Sequence, residues 1–164
     1  MEDQTSKIKM DRGGKYLTFT LADEDYGIEI LKVKEIIGMM PITTVPQTPD
    51  FVKGVVNLRG KVIPVVDLRL KFGMASQEYT ERTCIIVVEI FSNSGSTMMG
   101  IVVDSVSEVV QIRNDDIEET PQFGTKLDTD YILGMAKTDG RVKILLAIDK
   151  ILTAQELCLA LNAA

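Results

Sequence analysis

Asp115, Asp116, Glu118 and Glu119 place four carboxylates within five positions, the densest group of reactive side chains in the chain. Metal ligation or acid–base work needs such groups to converge on one point, ordinarily from spaced positions. A near-consecutive run reads instead as a solvated acidic loop. Histidine is absent from all 164 residues, which removes the most frequent general base and metal ligand. The two cysteines, Cys84 and Cys158, each sit among aliphatic neighbours with no zinc or redox spacing. Both are read as small apolar residues of a reducing compartment. No Ser-His-Asp set, phosphate-binding glycine loop or dinucleotide fingerprint occurs. The expectation is therefore no catalytic residue, no metal and no cofactor.

One charge asks for another explanation. Arg59 stands at the tip of Asn57-Leu58-Arg59-Gly60, between the apolar runs Val52–Leu58 and Val62–Val66. A fainter copy of this unit recurs at Tyr131–Asp149, where the equivalent tip is Asp139-Gly140. Asp-Gly suits a tight hairpin, whereas arginine brings no conformational benefit there. Both copies carry a Gly followed by an apolar residue, Gly54-Val55 and Gly134-Met135, and close on Asp67 or Asp149. A duplicated β unit is the reading.

The elements that must hold such a turn are mostly strands. Residues 1–14 are polar and end in Gly13-Gly14, a flexible arm. Tyr16–Leu21 alternates with period two, Tyr26–Ile30 resumes after Ala22–Asp25, and Lys32–Ile37 is a further short strand. Pro41, Pro46 and Pro49 make 38–50 irregular. Pro64 cannot donate to a ladder, which places it at a sheet edge or bulge. Cys84–Phe91 is an apolar strand covered on both faces, paired across the Ser92–Thr97 loop with Met98–Val103 and extended by Val106–Ile112. Val142–Ile148 closes the sheet. Thr153 with Glu156 forms a capping box for a terminal helix that presents Leu157 and Leu161 on one face.

Apolar residues make up 45% of the chain and charged residues 26%, and the net charge is −6. This is globular composition, and its acidic balance with no Trp disfavours a base-stacking or phosphate-tracking surface. The N-terminus has no signal pattern, and no apolar run approaches the ~20 residues of a membrane span. A cytoplasmic protein is expected.

Tyr26-Gly-Ile-Glu-Ile-Leu-Lys-Val-Lys-Glu-Ile36, Phe51-Val-Lys-Gly-Val-Val-Asn-Leu-Arg-Gly60, Val62-Ile-Pro-Val-Val-Asp-Leu-Arg69 and Gly100-Ile-Val-Val-Asp-Ser-Val-Ser-Glu-Val109 together resemble the CheW family of chemotaxis coupling proteins. The resemblance runs from Tyr16 to about Leu161. It implies a mainly β fold of two five-stranded SH3-like barrels with a C-terminal helix. The expected boundaries are one CheW-like domain over 15–164, with a first barrel at about 16–72 plus helix 153–161 and a second at about 83–148. The regulatory domain of the kinase CheA and CheV-type proteins share the fold but carry further domains. Neither addition is present in these 164 residues, so the coupling-protein reading is preferred.

The resemblance further implies a non-enzymatic adaptor linking chemoreceptor cytoplasmic tips to the CheA regulatory domain, at membrane receptor arrays and in rings with other copies. Nucleic acid and direct membrane insertion are not implied. Arg59 matches a hallmark position, and we expect it to pair with Glu35 at the mouth of a receptor-binding groove. Ile30, Val33, Ile36, Val102 and Val109 would line that groove, which receives the receptor's helical hairpin between the barrels. Ile42, Val45, Phe51 and Gly54 would face the kinase. Phe123, in a polar loop, would be displayed as a further kinase contact.

Overall fold

The computed structural model describes residues 11–92, 95–119 and 131–152. The expected helix at 153–161, Phe123, Cys158 and residues 1–10 of the expected arm lie outside them. Residues 11–13 are pinned rather than free: the Arg12 N–H donates to Asn114 Oδ1 at 2.9 Å and the Tyr16 hydroxyl to the Arg12 carbonyl at 2.6 Å.

Among the described residues, eleven strands form two sheets. They are β1 (Gly14–Leu21), β2 (Glu24–Glu29), β3 (Val33–Gly38), β4 (Val52–Leu58), β5 (Lys61–Asp67), β6 (Cys84–Ser92), β7 (Gly95–Val103), β8 (Ser105–Ile112), β9 (Ile117–Glu118), β10 (Ile132–Thr138) and β11 (Arg141–Leu146). One sheet is ordered β3-β6-β7-β5-β4 and the other β8-β1-β2-β11-β10-β9. The fold is mainly β, as the sequence implies. The sheets cut across the expected halves at 16–72 and 83–148: the middle of the chain makes one unit and its two ends make the other. Two parallel pairs, β5 with β7 and β2 with β11, produce this grouping. β8 accordingly does not extend the β6–β7 hairpin but crosses over to pair with β1.

The duplication is real, and it is circularly permuted. The hairpin β4–β5 matches β10–β11 at an offset of 80 residues: Gly54 with Gly134, Gly60 with Gly140, and helix Leu68–Lys71 with helix Ile148–Ile151. Both hairpins shift register just before the first of these glycines. β3 and β6–β7 then match β8 and β1–β2. The sixth strand of the larger sheet, two-residue β9, has as its counterpart the single bridge of Thr43 to Val55. Gly54 has φ +141°, and a Cβ there would run into the Thr43 carbonyl; at Gly134 a Cβ would lie 2.9 Å from the Glu118 carbonyl. Glycine is needed in each unit so that this extra segment can approach the hairpin backbone.

This register corrects two details. Asp67 corresponds to Ala147, and Asp149 to Arg69, so the closing aspartates of the two copies are not equivalent. Asp67 caps its helix by accepting from the Leu70 N–H at 3.3 Å, whereas Ala147 offers no side-chain cap. Pro64 sits in β5, which has neighbours on both sides. It is tolerated because its partner Val55 spends both backbone groups on Thr43, and the ladder to β7 begins only at Val65.

Three cores follow from strand alternation. Val56, Leu58, Ile63, Val65, Ile85, Val87 and Val102 fill the middle barrel. Tyr16, Ile112, Ala136 and Leu145 fill the other. The largest core lies between the units and takes Leu17, Phe19 and Ile28 from one and Val66, Ile86, Val88 and Ile101 from the other.

Candidate functional site

Cross-strand partners share a face of a sheet, so the pairing register shows where each candidate points. Val33 pairs with Val88 and Ile36 with Ile86, both partners belonging to the core between the units. On the other sheet Val109 pairs with Leu17 and Val106 with Phe19, which belong to that same core. Ile36 is nevertheless 42% exposed and Val109 49% exposed. The reason is position: β3 and β8 each end their sheets, so neither residue has a neighbour on its outer side. Cys84, which pairs with Gly38 of β3, lines one depression with Val106 and Ser107 of β8. Both edge strands thus border the inter-unit core on the faces that carry Val33 and Ile36 of β3 and Val106 and Val109 of β8.

Ile30 and Val33 are half-buried and pack onto that core. Val102 does not. It is 3% exposed and pairs with Ile85, which points into the middle barrel. Its place in an apolar strand could not tell the two faces apart. Val106 was missed in the sequence; the alternation Val106 to Val109 is interrupted by a bulge opposite Leu17 and Phe19, which hides the shared face.

Glu35 pairs with Val87 and so projects to the barrel side of β3, opposite Val33 and Ile36. There its carboxylate accepts from both terminal nitrogens of Arg59, the Nη1 contact at 3.2 Å. The bidentate pair ties the β3 edge to the β4–β5 tip. Arg59 has φ +51° and remains 69% exposed at its side chain. A left-handed conformation costs a non-glycine residue ~1–2 kcal/mol, so arginine is retained here against local preference. The Arg59 hydrogen bond and charge hold Glu35 below the usual carboxylate range. Asn57 supports the turn by accepting from the Gly60 N–H at 2.8 Å.

The residues expected to face the kinase fall on the irregular segment after β3 and its anchor. Ile42 packs half-buried on the middle barrel, Val45 is half-buried, and Phe51 lies beneath the Lys71 ammonium, 4.3 Å from its ring centroid. Gly54 is buried and offers no surface; it seats Thr43, the neighbour of Ile42.

The acidic run disperses rather than converging. Asp115 lies 3.6 Å from Arg113, and Glu118 pairs with Lys137 across β9 and β10. Among the described residues no group of three or more His, Cys, Asp or Glu side chains is placed to hold a metal ion. Cys84 is half-exposed, with Sγ 3.2 Å from the Arg82 carbonyl. No described helix is long and apolar enough to cross a membrane.

Residues 15–156 match the CheW-like domain. The chain is 43% identical to the chemotaxis protein CheW of Klebsiella aerogenes, over 93% of this chain and 89% of that protein. It is 33% identical to the chemotaxis protein CheW of Rhizobium meliloti, over 88% and 90%. The crystal structure of the scaffolding protein TtCheW from Thermoanaerobacter tengcongensis superposes with a TM-score of 0.77 at 37% identity, covering 88% of this chain and 95% of that one.

Proposed function

The chain belongs to the CheW-like domain family, and on that premise we propose that it is a non-enzymatic adaptor coupling chemoreceptor signalling tips to the regulatory domain of the histidine kinase CheA. What supports the receptor half of this reading is that edge strands of two different sheets carry Ile36 and Val109, both half-exposed, on faces bordering one apolar core, which we read as the two sides of a groove. A helix laid along it would bury apolar side chains on that core while the charges beside β3 set its register. Arg59 and Glu35 stand on the opposite flank of β3 and fix the strand's free edge.

Ile42, Val45 and Phe51 form the kinase half. They lie on a stretch with few backbone hydrogen bonds, seated on the barrel by the Thr43 bridge. That segment is a continuation of β3, so the two surfaces share one strand. In this reading the protein acts in the cytoplasm at membrane-bound receptor arrays, where further copies and Phe123 complete ring contacts. Titration calorimetry with a receptor cytoplasmic fragment and, separately, with the kinase regulatory domain tests it. Two independent saturable sites are expected. Binding of neither protein overturns the reading.

A further inference from the structure

Two crossovers carry the chain between the units. One is the turn Ile30–Lys32 between β2 and β3, and the other is Asp104 between β7 and β8. Each ends on a charged residue, Lys32 or Asp104, that directly precedes a groove wall. Each charge is held by the helix of the unit the chain is leaving. Lys32 Nζ lies 2.6 Å from Asp149 Oδ2, in helix Ile148–Ile151. Asp104 accepts from Arg69 Nε at 2.8 Å and Nη2 at 2.7 Å, in helix Leu68–Lys71. Arg69 and Asp149 are the second residues of those helices, 80 positions apart in the duplicated register. The same ion pair therefore occurs at both crossovers with its charges exchanged.

Consequences differ for the two walls. The Lys32–Asp149 pair ties the start of β3, a strand of the middle unit, to the other unit. The Arg69–Asp104 pair ties the start of β8 to the middle unit, and Asp104 adds the β1–β2 turn by accepting from the Ala22 N–H at 2.9 Å. Lys32 also lies 5.7 Å from the Phe91 ring centroid, which limits its freedom. Ion pairs at this exposure add little to stability; their geometric effect is to set where each wall begins.

We infer that Lys32–Asp149 and Arg69–Asp104 are paired latches that fix the spacing between β3 and β8, and so act as positioning residues for the groove's helical partner. The inference rests on the groove reading above. The charge exchange supplies its test, because one latch can be rebuilt in the image of the other. Lys32→Asp and Asp149→Arg each abolish a pair, whereas the double variant recreates at this crossover the Asp–Arg pair found at the other. Each single variant should weaken binding of a receptor cytoplasmic fragment at least about fivefold, on the scale of a remote coupling term. Binding of the kinase regulatory domain should stay within about twofold, and the double variant should regain most of the loss. Lys32→Met, which keeps the aliphatic stem over Phe91, should behave as the single variants do if either of them folds poorly. Receptor binding unchanged in Lys32→Met and in the singles, or no recovery in the double, overturns the latches. Ile36→Asp separates the two failures: if it leaves receptor binding intact, the groove reading itself has failed.

Discussion

Arg59 reaches Glu35 across the open side of a five-stranded sheet, joining a hairpin tip to the strand at the far edge. It joins the β3 edge to the β4–β5 tip beside the Thr43–Val55 bridge, which links the continuation of β3 to β4. Its partner in the duplicated unit, Asp139, has the same φ of +51°, so the turn geometry does not depend on arginine. The residue serves the contact.

Replacing Arg59 should therefore separate stability from coupling. Arg59→Asn suits the left-handed turn position better, and melting should move by no more than a gain of about 1 kcal/mol. Receptor-coupled kinase activation should fall sharply. A variant that melts far lower yet couples normally would make Arg59 a structural residue.

Gly54→Ala should be among the most damaging single substitutions in the protein. A β-carbon there would strike the Thr43 carbonyl from a backbone at φ +141°, and losses of about 3 kcal/mol or more follow from such strain on backbone. Gly134→Ala, with its nearest backbone atom 2.9 Å away, should cost less. Denaturant unfolding of the two variants reads the difference directly.

Much of this was legible in the residues, and the failures are instructive. Most strand positions and the irregular 38–50 segment followed from alternation and prolines, although β6 and β7 run into the expected Ser92–Thr97 loop. The Glu35–Arg59 pair came from the resemblance; it forms, but on the face of β3 opposite Val33 and Ile36 rather than beside them at a groove mouth. Val102 did not, because a strand buried on both faces has no polar alternation to distinguish barrel interior from groove. The crossover of β8 to β1 was hidden for the same reason that any non-local pairing is: the local pattern Val106–Ile112 is equally satisfied by either sheet. The repeat was visible, but its register was not, since matching Asp67 with Asp149 ignores the two helices that fix the offset.

Acid should loosen the Arg69–Asp104 latch in a defined window. Burial alone would push Asp104 up, but the Arg69 hydrogen bonds, the Ala22 N–H and the Arg69 charge outweigh it and hold the carboxyl below its usual 3.8. A depressed folded value means the contribution is complete above the unfolded value and is lost as pH falls through the folded one. Wild type should thus lose stability below about pH 4 more steeply than Asp104→Asn. Parallel acid-unfolding curves for the two proteins would remove this account of Asp104.

Val102→Ala and Val109→Ala should part company. Val102 is enclosed in the middle barrel, and truncation there should cost about 1–3 kcal/mol. Val109 stands on an edge, so its truncation should fall within about 0.5 kcal/mol. Equal costs in thermal unfolding would mean that the two residues share an environment.

The central claim is that β3 and β8 together hold one receptor helix. A photo-cross-linking amino acid placed at position 36 and, in a second variant, at position 109 tests this in the assembled receptor–adaptor–kinase complex. Both variants are predicted to capture the receptor fragment, through adjacent segments of its hairpin tip, while the same probe at position 45 captures the kinase. Capture of the receptor from position 45 with none from 36 or 109 would contradict the account.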